Sequence, residues 1–121
     1  MLDSILRRFE APDETRTFPK GKFELVTLAG VTIGRATYEP GWKWSLHVGD
    51  ALGKKSCDVE HVGIVLSGCA DVTMDDGRVI EMREGDLFYI PPGHDSSVVG
   101  DEPYVSLHLL GAGDYASHKK G

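Results

Sequence analysis

Along most of the chain, apolar and polar residues alternate in short runs divided by glycine, proline and aspartate. That period of two is the signature of half-buried β-strands. Runs at 23–29 and 31–38 are parted by Gly30, and Glu39-Pro40-Gly41 then breaks the pattern. Residues 42–48 read Trp, Lys, Trp, Ser, Leu, His, Val, which alternates again and predicts a third strand. A polar loop over 49–56 precedes the longest expected strand, 57–66, which ends at Ser67-Gly68. Strands at 69–74 and 78–82 flank Asp75-Asp76-Gly77, a hairpin turn in which glycine supplies a positive φ. Strands at 87–90, 96–99 and 104–110 complete the series, separated by Pro91-Pro92-Gly93 and Gly100-Asp101-Glu102-Pro103. The one departure is the N-terminus, where Leu2, Ile5, Leu6 and Phe9 recur at helical spacing and predict a short amphipathic helix. Nine short strands with turn signals about every 8–12 residues predict an all-β sandwich or barrel.

With 121 residues, the chain has the length of one domain, enough to bury about two-thirds of its unfolded surface. The expected division is an N-terminal segment over 1–22 and a barrel over 23–121. Fifteen glycines suit a protein of many turns. A net charge of -6 repels phosphate backbones and anionic lipid, so nucleic acid and membrane surfaces are excluded as expected partners. The one basic run, His118-Lys119-Lys120, reads as a frayed tail. No apolar run approaches the ~20 residues needed to span a bilayer. The arginines that follow, rather than precede, the first apolar stretch do not make a secretion signal. A cytoplasmic location, with Cys57 and Cys69 as reduced thiols, is therefore expected.

Two patterns carry chemistry. The first runs from Gly41 through five residues to His47, and resumes after a long loop with His61 six residues ahead of Gly68. The second is Gly85, five residues, Pro91-Pro92-Gly93 and His94. Together they resemble the paired motifs of the cupin superfamily over roughly residues 41–110. More narrowly, Pro40-Gly41-Trp42-Lys43-Trp44-Ser45, Pro92-Gly93-His94-Asp95 and Gly100-Asp101-Glu102-Pro103 resemble a group of small single-domain cupins. The resemblance implies a double-stranded β-helix (jelly-roll) barrel, a homodimer, and a metal held by inward histidines. His61 stands where the family has a glutamate, and Gly49 replaces the second of two neighbouring histidines. Cys57, four residues before His61, is the candidate for the missing ligand. The implied set is His47, Cys57, His61 and His94. Thiolate and imidazole donors favour zinc, with iron, nickel and copper compatible.

Strand parity tests these assignments. On the expected strand 57–66, Cys57 and His61 share a face, and Val62, Ile64 and Leu66 share the other. A strand apolar on both sides is covered on both sides, by a second copy of the chain or by the N-terminal segment. On 42–48, burial logic turns Trp42 and Trp44 inward and His47 outward, against the motif. The tryptophans read as core or interface packing before pocket lining. Asp95 and Glu102 are candidate acid–base groups on loops near the mouth. His108 lies with Ser106 on the less apolar face of its strand, and a surface position is expected. Asp75-Asp76 is turn chemistry.

The function expected from these features is a metal-binding cupin acting on or sensing a small molecule. The ion would serve as a Lewis acid or activate water or oxygen. A non-enzymatic barrel that binds a ligand or metal, and a structural dimer without metal, are the alternatives.

Overall fold

The computed structural model describes residues 3–115. Among the described residues there are nine strands: β1 Glu14–Phe18, β2 Gly21–Leu28, β3 Val31–Tyr38, β4 His61–Ser67, β5 Cys69–Met74, β6 Val79–Arg83, β7 Leu87–Ile90, β8 His94–Val98 and β9 Tyr104–Leu110. Two helical turns, α1 Trp44–His47 and α2 Gly49–Leu52, lie between β3 and β4. The strands form a six-stranded sheet in the order β1-β2-β3-β9-β4-β7 and a three-stranded sheet in the order β6-β5-β8, every pairing antiparallel. The two sheets face each other as the expected jelly-roll barrel. Phe23, Ala36, Trp42, Val65 and Val72 are among the most deeply buried side chains between them.

Three expectations about local structure are corrected. Residues 3–8 carry no helix and residues 9–10 form a turn, while residues 1 and 2 of the proposed helix lie outside the described residues, as does the basic run at 118–120. The N-terminal segment instead lies along β2 and β3. Arg35 sits 5.0 Å from the Phe9 ring and 3.6 Å from Glu10, and Arg7 donates to the Thr27 carbonyl at 3.1 Å. Strand structure begins at β1, inside the segment expected to precede the barrel. Its polar sequence, ETRTF, fits an edge strand.

Residues 42–48 form a helical turn rather than a strand. Trp44 and Val48 are both buried, and a spacing of four puts them on one face of a helix as readily as alternation puts Trp42 and Trp44 on one face of a strand. Asp95 decides for the turn. Its carboxylate accepts the Ser45 backbone N–H at 2.9 Å and the Ser45 hydroxyl at 2.8 Å, tying α1 to β8. Trp42 stacks flat on Tyr38, with centroids 3.8 Å apart.

The expected strand 57–66 starts late, at His61. Cys57 precedes it in a loop, paired with β8 by a bridge in which its N–H donates to the His94 carbonyl at 2.6 Å and the Gly93 N–H donates back at 2.8 Å. The outer face of β4, β7 and β9 carries Val62, Ile64, Leu66, Leu87, Tyr89, Leu107 and Leu109. The described part of the N-terminal segment makes its contacts with β2 and β3 instead. Leu87 is 79% exposed and Tyr89 56%.

Inside, β9 runs between two glycines. His108 pairs with Gly34 of β3 on one side and with Gly63 of β4 on the other. A Cβ on Gly34 would meet the Phe23 ring at 2.2 Å, and one on Gly63 the Leu107 carbonyl oxygen at 2.0 Å. Both positions must be bare for the strands to approach and the rings to lie over them. Gly63→Ala should therefore destabilise the protein by about 3 kcal/mol in urea unfolding, because backbone has to move. Gly113→Ala, with nothing within 4 Å of the added carbon, should change stability by no more than about 0.5 kcal/mol.

Candidate metal centre

Three of the four expected ligands meet. One ligating atom each from Cys57, His61 and His94 lies within 4.8 Å of the others, and all three residues are buried. Their convergence follows from backbone pairing. His61 opens β4 opposite Ile90 of β7, His94 opens β8, and the Cys57–His94 bridge brings the preceding loop across to both. Cys57 and His61 do not share a strand, yet the Cys57 Sγ stands 3.6 Å from His61 Nε2. The His61 and His94 rings are 5.2 Å apart, close to perpendicular.

His47 stands apart from this group. It closes α1, and its Nδ1 accepts the Lys43 backbone N–H at 2.9 Å. The same Nδ1 lies 3.1 Å from the Lys43 carbonyl oxygen, so this nitrogen is engaged within its own helical turn. The Gly41-to-His47 spacing expected to aim it inward requires an extended strand, and the helical turn removes that premise. Asp95 has both carboxylate oxygens engaged, by Ser45 and by Lys43 at 3.8 Å. Glu102 is exposed in the β8–β9 turn and borders a surface depression with Cys69 and Arg83. Neither carboxylate lines the cavity described next.

A cavity of about 30 Å³ lies against His61 and His94, and His108 lines it as well. The expected surface position of His108 is overturned: it is only 6% exposed and sits at the centre of an aromatic box. The rings of Phe23, His61, Phe88 and Tyr115 surround it at 5.0–5.8 Å. Its Nε2 lies 3.0 Å from the Ser106 hydroxyl, and its Nδ1 has no partner among the described residues. The signal that could have found it is parity with Tyr104 and Ser106, both buried.

The electrostatics follow from burial. Desolvation pushes the His61 imidazole down to about 2, with the neighbouring His108 and His94 adding to the effect. Desolvation also lowers His108 to about 3 and lowers His94, in the latter against the opposing hydrogen bond to Pro91. All three rings are neutral at pH 7 and offer lone pairs. Burial raises the Cys57 thiol to about 11. The His94 Nδ1 lies 2.8 Å from the Pro91 carbonyl, which can only accept, so Nδ1 carries the proton and Nε2 is the free donor atom. His61 Nδ1 is buried without a partner among the described residues. A thiol, two oriented imidazoles and an orphaned ring nitrogen in a small cavity fit a divalent transition metal.

Solved structures share this architecture. A protein of unknown function from Rhizobium leguminosarum bv. viciae is 20% identical, with a TM-score of 0.63 over 90% of this chain and 97% of its own. A DUF1255 protein of unknown function from Acidithiobacillus ferrooxidans is 24% identical, with a TM-score of 0.60 over 80% of this chain and 86% of its own. The polyketide cyclase RemF from Streptomyces resistomycificus is 13% identical, with a TM-score of 0.64 over 93% of this chain and 80% of its own. At these identities the likeness shows the fold. Comparison with curated protein sequences finds no match. No helix among the described residues is long and apolar enough to cross a membrane. The cupin-domain family matches residues 34–110, which take in every strand from β4 to β9, all three clustered ligands and His108, and on that match the chain belongs to the cupin family.

Proposed function

We propose that this chain is a metal-binding cupin that acts on or senses a small molecule inside its barrel, with Cys57, His61 and His94 as the protein ligands. The observation that carries this reading is the convergence of their three ligating atoms within 4.8 Å in a buried site. The donor set favours zinc over iron, nickel or copper. A bound ion would supply Lewis acidity to a small molecule or water in the cavity. The chain's own residues supply the rest: Pro91 fixes the His94 tautomer, Phe23 and Phe88 keep water from His108, and burial holds the imidazoles neutral. No carboxylate lines the cavity among the described residues. That favours binding or sensing, or chemistry in which the ion and imidazoles suffice, over acid–base catalysis by Asp95 or Glu102. With both thiols free, the proposed setting is the reducing cytoplasm.

Elemental analysis of protein purified without a histidine tag should find one ion per chain. His61→Ala and Cys57→Ser should weaken binding more than about a hundredfold, and His47→Ala should leave it unchanged. Because the Cys57 thiol must lose its proton while the imidazoles are already neutral, affinity should rise about tenfold per pH unit between pH 6.5 and 8. Metal retained in full by His61→Ala would refute the assignment.

The metal-free protein makes a separate prediction. In the unfolded chain His61 and His108 titrate near 6.5, and in the folded chain near 2 and 3. The unfolded state therefore binds more protons below pH 6.5, and stability must fall as pH falls from there. Each imidazole contributes a loss of about 1.4 kcal/mol per pH unit, or about 2 kcal/mol at pH 5. Urea unfolding between pH 8 and 5 should show a plateau above 7 and a steep decline below 6.5. His108→Gln should have a shallower slope, because His61 and His94 still contribute. A flat profile would mean that the rings are solvated.

The uncovered apolar face of β4, β7 and β9 supports a homodimer, which completes our reading of the assembly. The chain's own negative charge disfavours nucleic acid and anionic membrane as occupants of that face. Sedimentation should give a dimer, and Leu87→Lys with Tyr89→Lys should give a folded monomer. A native chain that sediments as a monomer at micromolar concentration would reject this.

A further inference from the structure

We propose that the phenol ring of Tyr115 occupies a ligand slot of the barrel, and that the slot takes a free single-ring phenol in its place. The inference rests on the barrel interior being the binding site, and it does not require the ion. No strand carries Tyr115, unlike Phe23, Tyr38, His61 and His108, which it touches. It follows β9 on a turn that starts at Gly111, where φ is +83°, and the turn closes with a Tyr115 N–H to Gly111 carbonyl bond of 3.1 Å. From there the side chain enters the barrel and is 3% exposed.

The surroundings of the ring define what fits there. Phe23 tilts against it with centroids 4.8 Å apart, His61 meets it edge-on at 5.1 Å, and His108 stacks beside it at 5.8 Å with an interplanar angle of 22°. At the far end the Tyr38 hydroxyl donates to the Tyr115 hydroxyl at 2.6 Å. Tyr38 is held in place by stacking on Trp42 and Tyr104. The slot thus presents aromatic faces and edges along one six-membered ring and a single hydroxyl at its tip, with no ionised side chain. A neutral phenol satisfies every one of these contacts. A ring without the hydroxyl leaves Tyr38 unpaired, and a charged ring pays for its desolvation.

Size makes the alternation necessary. With Tyr115 in place the remaining cavity is about 30 Å³, room for a water or two and not for a ring. An organic ligand can therefore reach the side of His61 that faces Tyr115 only where the Tyr115 ring now lies. Among the described residues, Arg16 of β1 holds the segment from outside, its Nη1 donating to the Tyr115 carbonyl at 2.6 Å. The native chain competes with its ligand, so apparent affinity is reduced by the fraction of molecules in which the slot is free.

The test is calorimetric titration of p-cresol into the metal-free, full-length chain. Saturable binding is expected in the native protein. It should be about tenfold tighter in Tyr115→Ala, where the competitor is gone, and several-fold tighter in Arg16→Ala, where the tether is cut. Toluene, or Tyr38→Phe with p-cresol, should bind about five- to tenfold more weakly. If Tyr115→Ala binds p-cresol while the native chain and Arg16→Ala show no saturable binding up to the solubility limit, Tyr115 is permanent core and the proposal is wrong. Equal affinity for toluene and p-cresol in Tyr115→Ala would also overturn it. Should Tyr115→Ala fail to fold, the native chain and Arg16→Ala decide between them. Because no ion is present, p-cresol can bind in a protein that proves to hold no metal, and metal can bind in one that rejects p-cresol.

Discussion

Imidazoles buried with no carboxylate beside them must stay neutral, and the inside of this barrel is organised around that constraint. An isolated charge in an apolar interior costs so much that the group gives up its proton instead. His61, His94 and His108 share one interior: His94 disfavours protonation of His61 and His108, His108 disfavours that of His61, and at His94 itself burial outweighs the opposing pull of Asp75 and Asp95. The result is a set of lone pairs held ready at neutral pH. The cost appears in folding, because the unfolded chain would rather be protonated. A carboxylate at the His61 position would remove that cost by pairing with its neighbours, and it would also change the donor chemistry from soft toward hard.

The same constraint explains the glycines. Packing rings around His108 requires that its neighbours in the sheet contribute no side chains of their own. Gly34 and Gly63 flank it on either side, and Phe23 and Phe88 lie over the space they leave. A wall of aromatic rings is thus built on a floor with no Cβ atoms. The arrangement excludes water from the imidazoles without filling the space beside them.

Eight of the nine strands were legible from periodicity, all but β1, and the jelly-roll barrel was what the resemblance of the two turn motifs to the cupin pattern implied. Most of the ligand cluster was legible for a different reason than the parity argument supposed. Cys57 meets His61 through its backbone bridge to His94, a long-range pairing that no local pattern encodes. His47 was misplaced because Trp42, Trp44 and Val48 satisfy strand and helix periods equally over so short a span. The choice lay with Asp95, fifty residues away, which anchors Ser45.

His108 was misread for a more general reason. Burial logic assigns the more apolar face of a strand to the interior, and on β9 that face is Val105, Leu107 and Leu109. The structure turns Tyr104, Ser106 and His108 inward instead, and Leu109 is 49% exposed. A barrel that hosts chemistry must line its interior with donors and acceptors, so its functional strands invert the usual pattern. β4 shows the same inversion, with His61 and Gly63 inside and Ile64 and Leu66 outside. Two neighbouring strands inverted together leave an apolar surface on the outer face of the sheet. The polar interior that makes the site and the apolar exterior that a partner would cover are therefore two sides of one sequence pattern.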